Sequence, residues 1–190
     1  MSIKIRAWSK LKYLDPKEIL IRIREVEKNY PLEEMPYKVA TLRTKPLQAH
    51  GESRQCALFC YGMSQALGVT LGYAESEEAD YDFIIYCVEE ESFIPLQMKE
   101  LVPEKLNKDT DIQKEINKLK KKYVDSEDLC VALYINRLEK SLDVSRIDIA
   151  GLNIAELWLF GAASPDQSKW KIIGNLLDSP KTYEFTYPNA

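Results

Sequence analysis

One histidine, His50, is all that the chain contains, and this scarcity removes most imidazole chemistry. A Ser–His–Asp triad would have to be built on that residue alone. A zinc centre would have to draw on Cys56, Cys60, Cys87 and Cys130, among which there is no CxxC pair. Cys56 and Cys60 lie one helical turn apart in RQCALFCYGM. The four read as buried, reduced thiols of a cytoplasmic protein. Long apolar runs are also missing. None approaches the ~18–20 residues of a membrane-spanning helix, and MSIKIRAWSKLKYLDP at the start lacks the apolar segment of a secretory signal. No membrane partner is expected. Internal repeats and low-complexity tracts are absent.

What is present is ordinary in amount and uneven in placement. With 190 residues, 45% hydrophobic and 29% charged, the chain suits a single domain with a real core. The net charge of −4 does not advertise nucleic-acid binding. Up to Gln48, however, eleven basic residues face six acidic ones, a net +5 that leaves −9 to the remainder. Such asymmetry permits a basic contact surface on an acidic protein; a solvated helix face explains it as well.

LDPKEILIRIREVEKNYP predicts a helix capped by Asp15, with Pro16 in its first turn and Pro31 closing it. Ile19, Ile23, Val26 and Tyr30 form its expected buried stripe. Pro31, Pro36 and Pro46 mark an irregular connector. Residues 51–68 predict a second helix ended by Gly68, whose inner stripe runs back from Met63 through Cys60, Phe59 and Cys56 to Glu52. A strand in VTLGYAES follows. DYDFIIYCVEEE and SFIPLQMKELV then predict a hairpin, the first strand apolar on both faces. DTDIQKEINKLKKKYV predicts an amphipathic helix with Ile112, Ile116, Leu119 and Tyr123 inward. Strands are expected at 128–137 and 156–162, with SKWKIIGNLL as the last. A mixed sheet with helices on both sides is the economical packing.

Within SFIPLQMKELV, Gln97 and Lys99 share one strand face while Leu96 and Met98 share the other. Pro95 would suit an edge strand whose polar face meets solvent. The alternative is a site. Asp82 abuts the apolar run of the neighbouring strand, ahead of Asp80 as an anchor, and Glu52 opens the inner stripe of the preceding helix. If helix and hairpin pack together, Glu52, Asp82, Gln97 and Lys99 converge at one end of the sheet. Metal-assisted phosphodiester hydrolysis needs such a set. A hard cation, Mg²⁺ or Mn²⁺, takes oxygen ligands, here Asp82, the Gln97 side-chain oxygen or the Met98 carbonyl, and Glu52 directly or through water. Lys99 would orient the attacking water and stabilise developing negative charge.

The order of a helix Glu, an Asp at a strand start and Gln-x-Lys on the next strand resembles the PD-(D/E)XK nuclease superfamily in its Gln-x-Lys variant. The resemblance covers residues 51–137, whose expected order of helix, three strands, helix and strand is that of the family core. No proline precedes Asp82, and Gln97 stands in place of the usual acid. Pro165–Asp166 reads as a turn. The resemblance implies a mixed α/β (α+β) chain of the restriction-endonuclease-like fold, a central mixed β-sheet flanked by helices. Residues 1–47 would be an N-terminal helical extension, 51–137 the nuclease-like core, and 138–190 the strands completing the sheet. It implies an Mg²⁺- or Mn²⁺-dependent nuclease acting on DNA, and leaves a homodimer open because many such enzymes dimerise to cut both strands. Two other classes stand beside it: a degenerate member that binds nucleic acid or a protein partner without cleaving, and an unrelated interaction module.

Overall fold

The computed structural model describes residues 3–29, 34–78, 80–137 and 142–189. Tyr30 and Pro31, expected to end the first long helix, lie outside them. Seven strands form one sheet in sequence order: β1 (Leu71–Glu75), β2 (Phe83–Cys87), β3 (Ser92–Leu101), β4 (Ser126–Ile135), β5 (Ile154–Ala162), β6 (Lys169–Gly174) and β7 (Lys181–Thr186). The pairs β1–β2, β2–β3, β5–β6 and β6–β7 are antiparallel, whereas β3–β4 and β4–β5 are parallel. The chain is therefore a mixed α+β protein built on a mixed sheet.

Helices α1 (Ile3–Trp8), α2 (Pro16–Asn29), the short α3 (Tyr37–Ala40), α4 (Gln48–Leu67) and α5 (Ile112–Lys122) complete it. The alternation of buried side chains along the central strands produces two cores. Leu96, Met98, Cys130, Ala132 and Tyr134 face α4, where Cys56, Phe59, Cys60 and Met63 meet them. Leu101, Val131, Leu133 and Leu157 face the other way, against Ile112, Ile116, Leu119 and Tyr123 of the α5 segment. Asp111 caps α5 by accepting from the Lys114 N–H at 2.7 Å. Gly68, with φ of 69°, ends α4 in the left-handed conformation. All four cysteines are free and buried.

Three expectations need correction. The buried residues of α2 are Pro16 and Leu20, the latter fully enclosed against α4, while Val26 is 53% exposed. Residues 18–24 are apolar at several phases, so periodicity alone did not select the side that faces the core. SKWKIIGNLL is not the last strand, since β7 pairs with β6 along its length. Finally, β3 is no edge: β2 and β4 flank it, and Pro95 pairs with Ile84. Pro95 is tolerated because the β3–β4 ladder begins only at Leu96 with Cys130. The Leu96 carbonyl accepts from β2's side, so the missing N–H of Pro95 faces the still-unpaired side. Residues 3–29 are built into both cores. Trp8 joins the α5 side, and Leu14 bridges Tyr73 of the otherwise open β1 edge.

Gly62 sets how closely α4 approaches the sheet. A Cβ there would lie 2.4 Å from Phe185 and 2.5 Å from Ile172. Gly62→Ala is expected to cost about 1–3 kcal/mol through overpacking, read as a lower denaturant midpoint at unchanged m-value.

Candidate active site

Asp82 lies one residue before β2, and its backbone extends the ladder. Its N–H donates to the Leu96 carbonyl at 3.0 Å, and its carbonyl accepts from the Ser76 N–H at 2.9 Å. This register aims its side chain past the end of β2 at the next residues of β3. The Met98 N–H donates to Asp82 Oδ2 at 2.9 Å. Gln97 Nε2 donates to the same oxygen and, at 3.2 Å, to the Met98 carbonyl.

Gln97 is 2% exposed; among the described residues only it and Thr110 are buried polar side chains. Its amide survives in the α5-side core because every group is matched. Nε2 serves Asp82 and Met98, and Oε1 accepts from the Tyr123 hydroxyl at 2.7 Å. Burial raises the Tyr123 pKa above the ordinary tyrosine value, against the opposing effect of nearby Lys122, so the hydroxyl stays a neutral donor. Sequence periodicity marked Tyr123 as inward-facing; nothing in it announced a partner across 26 residues. Tyr123→Phe leaves Oε1 buried without a donor. An expected loss of about 1–3 kcal/mol is measurable by chemical denaturation.

Lys99, two residues further on, is partly buried and has neither an ion pair nor a hydrogen bond among the described residues. Burial lowers its pKa below the ordinary lysine value; Asp82 pulls it back up, Lys122 lowers it, and Glu52 and Glu115 raise it. A partly buried ammonium with a shifted pKa and no ion pair among the described residues marks a candidate functional position.

Glu52, in the second turn of α4, accepts from Gln48 Nε2 at 2.8 Å. Together with Met98 and Lys99 it lines a cleft of about 1150 Å³. Asp82 and Gln97 do not line that cleft; they sit behind its Met98–Lys99 wall. Glu52 is therefore on the α4 side, whereas Gln97 enters the α5 core. The four residues adjoin the same end of the sheet without forming one tight cluster. Glu75 was overlooked: it also lines the cleft, and it pairs with Phe83 beside Asp82. Its place two residues after inward Tyr73 was the available signal. Arg43 and Glu100 form an ion pair on the cleft wall. His50 lines the cleft, exposed, and Pro165–Asp166 lies in the β5–β6 turn.

Among the described residues no group of three His, Cys, Asp or Glu side chains is arranged to hold a metal ion. Mg²⁺ asks for less: one or two carboxylates, retained waters and substrate oxygens. Asp82 Oδ1 has no hydrogen bond among the described residues, and the Met98 carbonyl stands beside Oδ2 across the Gln97 amide. The NH2 of Gln97 bridges these two oxygens as a cation would. Turning its carboxamide over would present Oε1 with them, and the Tyr123 oxygen could then accept from Nε2. The donor set thus fits a hard cation held by Asp82, Gln97 and the Met98 carbonyl, while Glu52 stands on the α4 side of the Met98–Lys99 wall. No family model, no curated protein and no solved structure matches the chain. No helix among the described residues is long and apolar enough to cross a membrane.

Proposed function

We propose that the protein is a metal-dependent nuclease hydrolysing phosphodiester bonds in DNA, of the restriction-endonuclease-like, PD-(D/E)XK type in its Gln-x-Lys variant. The order α4–β1–β2–β3–α5–β4, with β1–β2–β3 antiparallel and β3–β4 parallel, supports the fold assignment. The observation that carries the function is Lys99: a partly buried ammonium with no hydrogen bond or ion pair among the described residues, within electrostatic reach of Asp82 and Glu52. Mg²⁺ or Mn²⁺, when bound, would polarise the phosphate and lower the pKa of a coordinated water. The chain's own residues do the rest. Asp82, Gln97 and the Met98 carbonyl would hold the cation. Lys99 would orient water and balance charge building on the phosphorus oxygens as the water oxygen bonds to phosphorus and gives up a proton to solvent, while the ester oxygen leaves and takes a proton from solvent. Glu52 supplies a second carboxylate from the α4 side.

The test is cleavage of supercoiled and single-stranded DNA in Mg²⁺, in Mn²⁺ and in chelator. Cutting in either metal that stops in chelator is expected; no cutting in any condition would sink the enzyme reading. One observation favours a second reading, a degenerate module that binds nucleic acid or a protein partner without cleaving. The Gln97 NH2 already satisfies Asp82 Oδ2 and the Met98 carbonyl with no cation. That module would show affinity that falls with salt and no cleavage.

A further inference from the structure

Asp82, Met98, Gln97 and Tyr123 form one continuous chain of hydrogen bonds. The Met98 N–H and the Gln97 NH2 both donate to Asp82 Oδ2, and the same NH2 reaches the Met98 carbonyl at 3.2 Å. At the far end the Tyr123 hydroxyl donates to Gln97 Oε1 at 2.7 Å. Gln97 and Tyr123 are both buried, so solvent offers neither a substitute partner. The Gln97 NH2 thus stands between two oxygens that suit a hard cation. A phenol is the partner that serves either orientation of this amide. Its hydroxyl donates to Oε1 as the amide stands, and it can accept from Nε2 after a half-turn of the carboxamide; a lysine there could only donate, an ionised carboxylate only accept. We infer that Tyr123 is a positioning residue for the cation site: it holds the Gln97 amide between Asp82 and Met98, and it lets that amide turn over to present Oε1 to Mg²⁺. The inference rests on the cation site of the nuclease reading and adds a residue outside its donor set.

The surroundings fix the Tyr123 ring and leave only its hydroxyl hydrogen to rotate. The ring packs in the α5-side core with Ile116 and Leu119, and its backbone N–H closes the helix on the Leu119 carbonyl at 2.8 Å. Reversal of the chain of bonds therefore takes one torsion in Gln97 and one in Tyr123, with no movement of β3 or α5. Tyr123→Phe keeps the ring and removes this reciprocity. With the amide as it stands, the variant leaves a carbonyl oxygen bare; with the amide turned, it leaves an N–H bare. A buried N–H without a partner is tolerated less well than a carbonyl, so the variant disfavours the turned amide.

The test is Mg²⁺ binding without DNA, read by calorimetry and by the side-chain amide signals of Gln97 in NMR. In chelator the Gln97 NH2 and the Met98 N–H share one acceptor, so a nuclear Overhauser contact should join them. In about 10 mM Mg²⁺, above the weak end of oxygen-donor sites, that contact should vanish and one to the Tyr123 ring should replace it. Tyr123→Phe should weaken Mg²⁺ binding by about threefold or more, the lower range of one net hydrogen bond. A tyrosine that only braces the core would cost the same stability in Mg²⁺ as in chelator and leave the Mg²⁺ affinity unchanged; that result overturns the inference. So does an amide that keeps its contact with Met98 while Mg²⁺ moves the Asp82 signals, and so does a protein that binds no Mg²⁺. The two readings separate cleanly. An amide that turns over in a protein that never cuts DNA keeps this inference and removes the nuclease. Metal-dependent cutting with the amide unturned does the reverse.

Discussion

Lys99→Met is expected to lower metal-dependent cleavage by about 10²–10³-fold while leaving the protein at least as stable as wild type. Methionine keeps the unbranched stem and drops the charge. Nothing in the fold depends on that charge, since the ammonium has no hydrogen bond or ion pair among the described residues. Burial lowers its pKa, more than Asp82 and Glu52 restore it. With the folded value below the unfolded one, the unfolded chain binds more protons between the two. Stability therefore rises with pH through that window and is lower beneath it, where both states are charged. Beneath that window the buried charge is carried in full, so removing it removes a penalty. Thermal unfolding of both proteins across pH should show the variant's advantage narrowing as pH climbs toward the ordinary lysine range. A structural lysine would give the opposite pair of results, intact function and lost stability.

The parts of this arrangement legible in the sequence are those that local periodicity controls. Alternation alone put Gln97 and Lys99 on one face and Met98 on the other, and the 3.6-residue pattern turned Ile112, Ile116, Leu119 and Tyr123 inward. Register was not legible. The pairing of Phe83 with Leu96 decides that Asp82 meets Gln97 and the Met98 N–H, and it depends on how the Val88–Glu91 turn closes. β7 escaped notice because KTYEFT buries only Phe185, as a short, polar edge strand will. Pro95 misled because the cost of a proline in a sheet depends on which side its nitrogen faces, and sequence does not carry that. The Tyr123 hydroxyl was invisible for a related reason: an inward tyrosine reads as apolar bulk until the amide it serves is located in space.

Asp82 should separate fold from function through two substitutions rather than one. Asp82→Ala removes the acceptor for the Gln97 amide and for the Met98 N–H. Each buried donor left unmade costs about 1–3 kcal/mol, so loss of activity in that variant would say little about chemistry. Asp82→Asn is different. Its carbonyl can take the place of Oδ2 and accept both bonds, and its amide NH2 takes the place of Oδ1, which has no hydrogen bond to lose among the described residues. The charge alone disappears. Chemical denaturation should find the asparagine variant clearly more stable than the alanine variant. Cleavage should nevertheless fall in both, by about 10² or more, because a neutral amide is a poor ligand for a hard cation and no longer supports the Lys99 ammonium. Asp82 is the largest of the influences raising the Lys99 pKa, so in Asp82→Asn that lysine should titrate lower still, a shift that NMR of its terminal methylene resolves. If Asp82 merely satisfies the Gln97 amide, the asparagine variant should behave as wild type in every nucleic-acid assay. A stable, inactive Asp82→Asn protein with a further-depressed Lys99 can arise only if the carboxylate charge, not its hydrogen bonds, is what the site uses.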